Sequence, residues 1–245
     1  RSIKMSLKSF NSKYNTEIKE DTVELDVLGK KIGDDGLKIL CSVKFTKLEQ
    51  LLLEENAINN IDVLAKNNFG NKLKALDLSS NKISSINVLA NVSFPSLNHL
   101  FLNSNQLSSI DVLAKVNFPK LRELNLSANK LTSINILAKV NFPELKDLDL
   151  SRNEISNIDA LASAKFPYLE DLMLDQNKIS SIDILAKINC DKLKNLKLEK
   201  NNLKNMKMLE KISFKKLNYL SIGDDTLGDK VDCLTKVNFG ELEDL

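Results

Sequence analysis

The residues that most often carry catalysis or bind metals are few in this sequence and widely separated. The three cysteines are Cys41, Cys190 and Cys233, and the single histidine is His99. A zinc site needs several cysteine or histidine ligands at close spacing, and this sequence has no such group. The adjacent carboxylates of Asp224 and Asp225 lack EF-hand spacing, so a turn is the preferred interpretation.

No phosphate-binding, dinucleotide-binding or serine-hydrolase motif is present, since the sequence contains no P-loop, no GxGxxG and no GxSxG. We therefore predict that this chain is not an enzyme and that it uses no cofactor and no metal. The chemistry that remains is recognition by surface side chains.

Composition narrows the class of protein. A chain of 245 residues that is 42% hydrophobic and 28% charged is expected to fold. A net charge of +2 gives no general attraction to nucleic acid or to a membrane. No apolar run reaches the roughly 18 residues of a transmembrane helix, and no signal-peptide centre is present. The odd number of cysteines argues against a disulfide framework, so we expect a reducing, cytoplasmic location.

A repeat of 24 or 25 residues organises the chain. One unit reads LRELNLSANKLTSINILAKVNFPE and spans residues 121–144. An irregular unit over residues 23–40 comes before the regular ones. A fixed period of this length is the signature of a solenoid. The regular units begin at Leu48, Leu73, Leu97, Leu121, Leu145, Leu169, Leu193, Leu217 and Leu242.

The pattern LxxLxLxxNxI resembles the leucine-rich-repeat family, from about Val23 to the end of the chain. The following IxxIxxLAxxxF segment resembles the intracellular leucine-rich repeats of regulatory and scaffolding proteins. By contrast, IGDDG at residues 32–36 resembles the ribonuclease-inhibitor type. The resemblance implies an α/β fold, a right-handed solenoid shaped as a curved horseshoe. Parallel strands would line its concave face, and short helices or turns its convex face.

Alternation within each repeat supports the same architecture on physical grounds. In LNLSAN, Leu124 and Leu126 point inward while Glu123, Asn125 and Ser127 point outward, as on a half-buried strand. Strands that recur in the same direction pair in parallel, about 4.8 Å apart. Helical segments are wider than strands, so the stack is expected to curve.

Two ladders are predicted inside the solenoid. Buried turns leave backbone groups that need partners, and repeated asparagine amides supply them. These asparagines are Asn56, Asn81, Asn105, Asn129, Asn153, Asn177 and Asn201, and Asp225 breaks the series. A second ladder consists of Phe45, Phe69, Phe94, Phe118, Phe142, Phe166, Phe214 and Phe239, with Cys190 in place of one phenylalanine. All three cysteines are expected to be buried thiols.

Helix boundaries on the convex side are predicted from caps and prolines. The residues expected to act as N-caps are Asp62, Asn87, Asp111, Asn135, Asp159 and Asp183. A proline after Phe94, Phe118, Phe142 and Phe166 is expected to end each helical turn.

We expect two regions in the chain. Residues 1–21 form a flank that either caps the first repeat or is disordered, and the sequence leaves both possibilities open. Residues 22–245 form the repeat domain of about nine units. The closing GELEDL stops partway through a new unit without a polar capping segment. The protein is therefore expected to continue, or to associate with itself or another surface through that edge.

The third, fifth and seventh positions of each repeat are predicted to face the concave surface. Ten of these 27 positions are acidic and one, Lys197, is a lysine. The exposed basic residues Lys66, Lys115, Lys139 and Lys187 are expected on the convex side. Acidic residues that only solubilise the surface are one explanation, and a binding face for a basic partner is the other.

We favour the binding face, because large apolar side chains among charges are typical of interface hot spots. The predicted partner is another protein with a basic surface or segment, and neither nucleic acid nor a membrane. The alternative is a regulatory domain of a larger enzyme, such as a kinase or phosphatase assembly. The candidate binding residues are Leu52, Asp77, His99, Phe101, Glu123, Asp147, Asp149, Asp171, Met173, Asp175, Lys197 and Tyr219.

Overall fold

Each repeat whose strand segment is described contributes one three-residue strand to a single parallel sheet. A computed structural model describes residues 6–188, 191–204, 207–223 and 238–239. Nine strands follow one another in chain order within the sheet. They are β1 (Glu24–Asp26), β2 (Gln50–Leu52), β3 (Ala75–Asp77), β4 (His99–Phe101), β5 (Glu123–Asn125), β6 (Asp147–Asp149), β7 (Asp171–Met173), β8 (Asn195–Lys197) and β10 (Tyr219–Ser221). A second, two-stranded sheet pairs β9 (Ser213–Phe214) with β11 (Asn238–Phe239).

Among the described residues, short helices precede the first strand and lie between the later ones. Two are α-helices, α1 (Leu7–Tyr14) and α2 (Gly33–Ser42). The others are 3-10 helices, at Asp62–Lys66, Asn87–Asn91, Asp111–Ala114, Asn135–Ala138, Asp159–Ala162, Asp183–Lys187 and Lys207–Lys211. This arrangement confirms the predicted leucine-rich-repeat solenoid.

The core is one continuous cluster of leucines and isoleucines. The central leucine of each strand is buried, for example Leu100, Leu124 and Leu148 at 0% exposure. Its two neighbours on most strands are half-buried, which is the alternation that the sequence predicted. The outer side chains of the sheet therefore form a surface, while the leucines hold adjacent repeats together.

The asparagine ladder is confirmed, and its hydrogen bonds show why the residue recurs. The side-chain amide of Asn153 donates to the carbonyl oxygens of Leu126, Leu150 and Ser151 at 3.0–3.1 Å. Its oxygen accepts from the backbone N–H of Leu131 at 3.0 Å, one repeat earlier. Each asparagine therefore satisfies backbone groups of two repeats.

The phenylalanine ladder is also confirmed for the six rings whose side chains are described. These are Phe45, Phe69, Phe94, Phe118, Phe142 and Phe166, all at most 8% exposed. Cys41 is buried as predicted, at 1% exposure. Cys190, Cys233, Asp224, Asp225 and the proposed C-terminal edge lie outside the described residues, as do the side chains of Phe214 and Phe239.

The prediction of the N-cap residues is wrong by one position. Asp111 and its equivalents are the first residues of the 3-10 helices, and the isoleucine before each occupies the cap position without a side-chain cap bond. The capping oxygen comes from two residues earlier, as when the hydroxyl of Ser109 accepts from the N–H of Asp111 at 3.2 Å. Asn60 and Asn157 do the same with their side-chain oxygens.

The role predicted for the prolines is also corrected. The 3-10 helix Asn87–Asn91 has already ended when the chain reaches Phe94. Pro95 instead lies inside a tight turn in which the N–H of Leu97 donates to the carbonyl oxygen of Phe94 at 3.1 Å. Proline suits the second position of such a turn because its φ is fixed near the required value.

A left-handed backbone residue comes before each ladder asparagine. Ser104, Ala128, Arg152 and Gln176 have φ between 51° and 56°. This conformation is strained for residues with a Cβ atom, by about 1 kcal/mol each. The fold keeps it because the turn brings the following asparagine into the ladder.

The N-terminal segment packs on the first repeat within the described residues. Phe10 of α1 is fully buried, and the hydroxyl of Tyr14 donates to the carbonyl oxygen of Ile32 at 3.3 Å. The amide of Asn11 donates to the carbonyl oxygen of Ile18 at 2.8 Å, which closes the segment on itself.

Candidate functional site

Eleven of the twelve predicted binding residues lie on the strands of the nine-stranded sheet. We call the surface made by the first and third residues of these strands the strand face. All eleven are half-buried, so their side chains are partly open to solvent. They are Leu52, Asp77, His99, Phe101, Glu123, Asp147, Asp149, Asp171, Met173, Lys197 and Tyr219.

A row of polar side chains crosses the middle of the strand face. Register pairs join His99 to Glu123, Glu123 to Asp147, Asp147 to Asp171, and Asp171 to Asn195. His99 Nδ1 and Glu123 Oε2 are 2.8 Å apart, and the amide of Asn195 donates to Asp171. Within the described part of the chain, no side chain donates to Asp147. Asp147 is therefore flanked by two carboxylates without a compensating donor.

This arrangement changes the acidity of the central residue. The pKa of Asp147 is raised to about 7, first by partial burial and then by the negative charges of Asp171, Glu123 and Asp149. Burial disfavours the ionised form, and neighbouring negative charges add to that effect. A cation placed against this row would reverse the effect and favour the ionised carboxylate.

Aromatic and apolar side chains border the acidic row. The ring of Phe101 stacks on His99, with centroids 6.3 Å apart and an interplanar angle of 14°. Met173 is the register partner of Asp149 on the neighbouring strand. The ammonium of Lys197 lies 5.8 Å from the centroid of the Tyr219 ring. These apolar residues are half-buried, so part of each side chain is open to solvent.

The seventh position departs from the prediction, since Asp175 is only 8% exposed. Ser79, Ser127 and Ser151 are buried at the same position. The chain turns inward after each strand, toward the left-handed residue and the ladder asparagine, and these four side chains are covered there. We therefore leave Asp175 out of the strand face.

Some fifth-position acids also have a structural role that sequence reasoning missed. Asp77 accepts from the backbone N–H of Ser79 at 2.8 Å and from its hydroxyl at 2.5 Å. Asp149 accepts from the backbone N–H of Ser151 at 2.9 Å. The signal was present in the sequence as an Asp or Asn two residues before a Ser. One oxygen of each carboxylate is thus used locally, and the other remains available.

A row of ion pairs lies beside the strand face and was also missed. Lys74 pairs with Glu49 at 2.8 Å, and Lys146 and Lys194 both pair with Glu170, at 3.2 and 2.5 Å. Hydrogen bonds from Lys194 and Lys146 lower the pKa of Glu170, the bond from Lys194 contributing most. These bases sit one residue before the strands and already have acidic partners. Their ion-pair partners, Glu49 and Glu170, lie outside the row that contains Asp147.

Other kinds of site are not visible in the described part of the chain. No three His, Cys, Asp or Glu side chains there are grouped to hold a metal ion. None of its helices has the length and apolarity to cross a lipid bilayer. Two surface cavities, of about 480 and 460 Å³, are lined mainly by amides and hydroxyls, and neither includes a residue of the strand face.

Comparisons with known families agree with the fold. A family model described as leucine rich repeat matches residues 119–179, and one described as two copies of leucine rich repeats matches residues 95–139. No curated protein sequence matches this chain significantly. The sheet, the asparagine ladder and these matches identify the chain as a leucine-rich-repeat protein.

Solved structures with the same fold come from bacteria and plants. An internalin (InlF) of Listeria monocytogenes is 26% identical with a TM-score of 0.64, and the match covers 83% of this chain and 56% of that one. Internalin C2 of the same species is 18% identical with a TM-score of 0.59, covering 97% and 91%. The plant peptide hormone receptor RGFR1, solved in complex with RGF2, is 21% identical with a TM-score of 0.59, covering 84% and 33%. The last two similarities show the fold alone.

Proposed function

We propose that this chain is a protein-binding module that holds a basic partner on its strand face. The observation that carries the proposal is the row of Glu123, Asp147 and Asp171 on three adjacent strands, in which the central carboxylate has no donor among the described residues. Stability alone does not favour like charges on neighbouring strands. A lysine or arginine of a partner would supply the missing positive charge.

The apolar residues give such a partner something to pack against. Phe101 and Met173 lie on the two strands that enclose β5 and β6, so the central carboxylates sit between them. Apolar anchors surrounded by charges concentrate binding energy, while the charges set the association rate and the choice of partner. The complex of RGFR1 with RGF2 supports the idea that this architecture accommodates a polypeptide ligand. No catalytic step is assigned to the strand face.

The experiment is an affinity capture with two matched charge-reversal variants. One replaces Glu123, Asp147 and Asp171 with lysine. The other replaces Asp62, Asp111 and Asp183, three exposed acids of the 3-10 helices, with lysine. Both change the net charge equally, so general electrostatics is controlled. We expect only the strand-face variant to lose a basic protein that the unmodified chain captures. Equal recovery by both variants would contradict the proposal.

We also propose a reducing, cytoplasmic location. The buried free thiol of Cys41 supports it. The sequence Asn91-Val92-Ser93 offers a direct test, because Asn91 is exposed and would be open to glycosylation in a secretory pathway. We expect protein isolated from its source to show no mass shift after peptide N-glycosidase treatment and to fractionate with the cytosol. A glycan on Asn91 would overturn this location.

A further inference from the structure

The first strand of the sheet differs from every later strand at the two positions that bracket it. Val23 comes directly before β1, and Leu28 comes two residues after it. At the position of Val23 the later repeats have Glu49, Lys74, Asn98, Arg122, Lys146, Glu170, Lys194 and Asn218. At the position of Leu28 they have Glu54, Ser79, Asn103, Ser127, Ser151, Asp175, Glu199 and Gly223. A large apolar residue therefore occupies these positions only in the first repeat.

Both side chains are open to solvent. Val23 is 46% exposed and Leu28 is 52% exposed. Among the described residues, the one other large apolar side chain that is exposed is Tyr168, at 53%. A single exposed apolar residue needs no explanation. Here, however, two of the three exposed apolar side chains lie at the ends of one strand, which indicates an interaction surface.

The strand between them has one free edge. In the part of the chain that the structure describes, β1 pairs only with β2. The carbonyl oxygen of Val23 accepts from Gln50, and the N–H of Val27 donates to the carbonyl oxygen of Leu52. Backbone groups of successive residues point to opposite edges of a strand, so those of Glu24 and Asp26 point away from β2. No backbone hydrogen bond within the described ranges joins them to residues 6–22.

Charge decides what kind of strand fits this edge. Glu24 and Asp26 are both exposed. A second copy of the chain would place the same two acids opposite them, and like charges directly opposite on paired strands are destabilising. A basic strand would instead bring lysine or arginine against Glu24 and Asp26. Acids also protect an edge from unwanted pairing, but a merely protected edge would keep polar residues at positions 23 and 28.

We propose that the free edge of β1 accepts an extended, basic segment of a partner protein as an additional strand of the sheet. Main-chain hydrogen bonds to Glu24 and Asp26 would give affinity. Apolar contacts with Val23 and Leu28, together with charge pairing, would give selectivity. This edge is distinct from the row around Asp147, so either surface can fail its test while the other passes.

The test uses a fluorescent, end-blocked peptide of alternating lysine and valine, and its fully N-methylated counterpart. The two probes share charge and side chains, but the second has no backbone N–H group to donate, and its methyl groups block the close approach that strand pairing needs. Binding is followed by fluorescence anisotropy, and amide hydrogen exchange of Glu24 and Asp26 is measured by NMR. We expect the first peptide to slow exchange at both amides at least 10-fold, and the methylated peptide to leave both rates unchanged.

Protein variants separate the edge from the strand face. The double variant Val23→Gln, Leu28→Ser introduces residue types like those that later repeats carry, so it is expected to fold, which circular dichroism checks. We expect it to weaken peptide binding at least 10-fold, and Asp147→Asn, Asp171→Asn to retain protection of the Glu24 and Asp26 amides. The proposal is overturned if both peptides protect these amides equally, if the double variant binds as tightly as the unmodified chain, or if neither amide is protected at saturating peptide.

Discussion

Asp147 and Asp171 are register partners on adjacent parallel strands, yet only Asp171 receives a hydrogen bond from a neighbouring side chain, the amide of Asn195. Among the described residues, no side chain donates a hydrogen bond to Asp147, so its side of the pair has no such compensation. Partial burial and the neighbouring negative charges together raise the pKa of Asp147 to about 7. Such an arrangement is poorly suited to stability and well suited to receiving a cation.

The first prediction concerns the pH dependence of stability. Asp147 has a pKa of about 7 in the folded protein against 3.8 for an ordinary aspartate. Between these values the folded state holds a proton that the unfolded state releases, so this contribution to stability falls as pH rises from 4 to 7. Asp147→Asn removes the effect. After allowing for solvent screening, we expect the Asp147→Asn variant to exceed the unmodified chain in free energy of unfolding by about 1–2 kcal/mol above pH 7.

Urea unfolding at several pH values measures this difference. The two proteins are expected to be nearly equal in stability at pH 4 and to diverge as the pH rises. The control is Asp183→Asn, at an exposed acid on a 3-10 helix. A difference in free energy of unfolding between Asp147→Asn and the unmodified chain that stays constant from pH 4 to pH 8 would argue against a raised pKa at Asp147.

The second prediction tests the asparagine ladder. Asn153→Ala removes one acceptor and three donated hydrogen bonds that join two repeats. Leaving buried backbone groups unpaired costs about 1–3 kcal/mol for each group that is not rehydrated. We expect a loss of about 3 kcal/mol in the free energy of unfolding. Asn103→Ala, at a half-buried asparagine whose side chain makes no hydrogen bond in the described structure, should change it by less than about 0.5 kcal/mol. Equal losses would be inconsistent with the ladder.

The third prediction uses one substitution at two places. Ala128 has a φ of 51°, which glycine adopts without the strain that a Cβ atom causes. We expect Ala128→Gly to raise the free energy of unfolding by about 0.5–1 kcal/mol. Ala114→Gly, in a 3-10 helix, should lower it by a similar amount because glycine loses more backbone entropy there. Thermal or urea unfolding measures the change in free energy of unfolding for each variant. Changes in the same direction at both sites would refute the strain argument.

The fourth prediction concerns the thiol of Cys41. Burial raises its pKa to about 12, and its side chain is 1% exposed. Because the thiolate is the reactive form, alkylation at pH 8 should be slow in the folded protein. Mass spectrometry of the peptide that carries Cys41 should show labelling at least 10-fold slower without urea than with it. Rapid labelling of the folded protein would indicate that this part of the core opens readily.

Much of this architecture could be predicted from the sequence, because its period determines it. Once the leucines are placed inward, residues such as Glu123 and Asp147 must face outward in register, and Asn153 must enter the turn. The confirmed strands, ladders and buried Phe94 all follow from that single spacing. Repeated residues at one register leave few alternative arrangements.

The features that were missed depend on local backbone geometry rather than on period. The burial of Asp175 depends on how sharply the chain turns after the strand. The capping oxygen of Ser109 depends on the 3-10 helix beginning at Asp111, one residue earlier than the sequence pattern predicted. The exposure of Val23 and Leu28 becomes informative only when β1 is seen to have a free edge. Periodicity identifies a register, but it does not give the path of the chain between strands.

The most direct test of the account is zero-length carbodiimide cross-linking of this chain to a partner recovered by affinity capture, because the reaction joins carboxylates to amines in contact. We predict that the cross-linked peptides carry Glu123, Asp147, Asp149 or Asp171 of the strand face. Cross-links confined to Asp62, Asp111, Asp159 and Asp183 of the 3-10 helices would contradict the proposal that the strand face binds the partner.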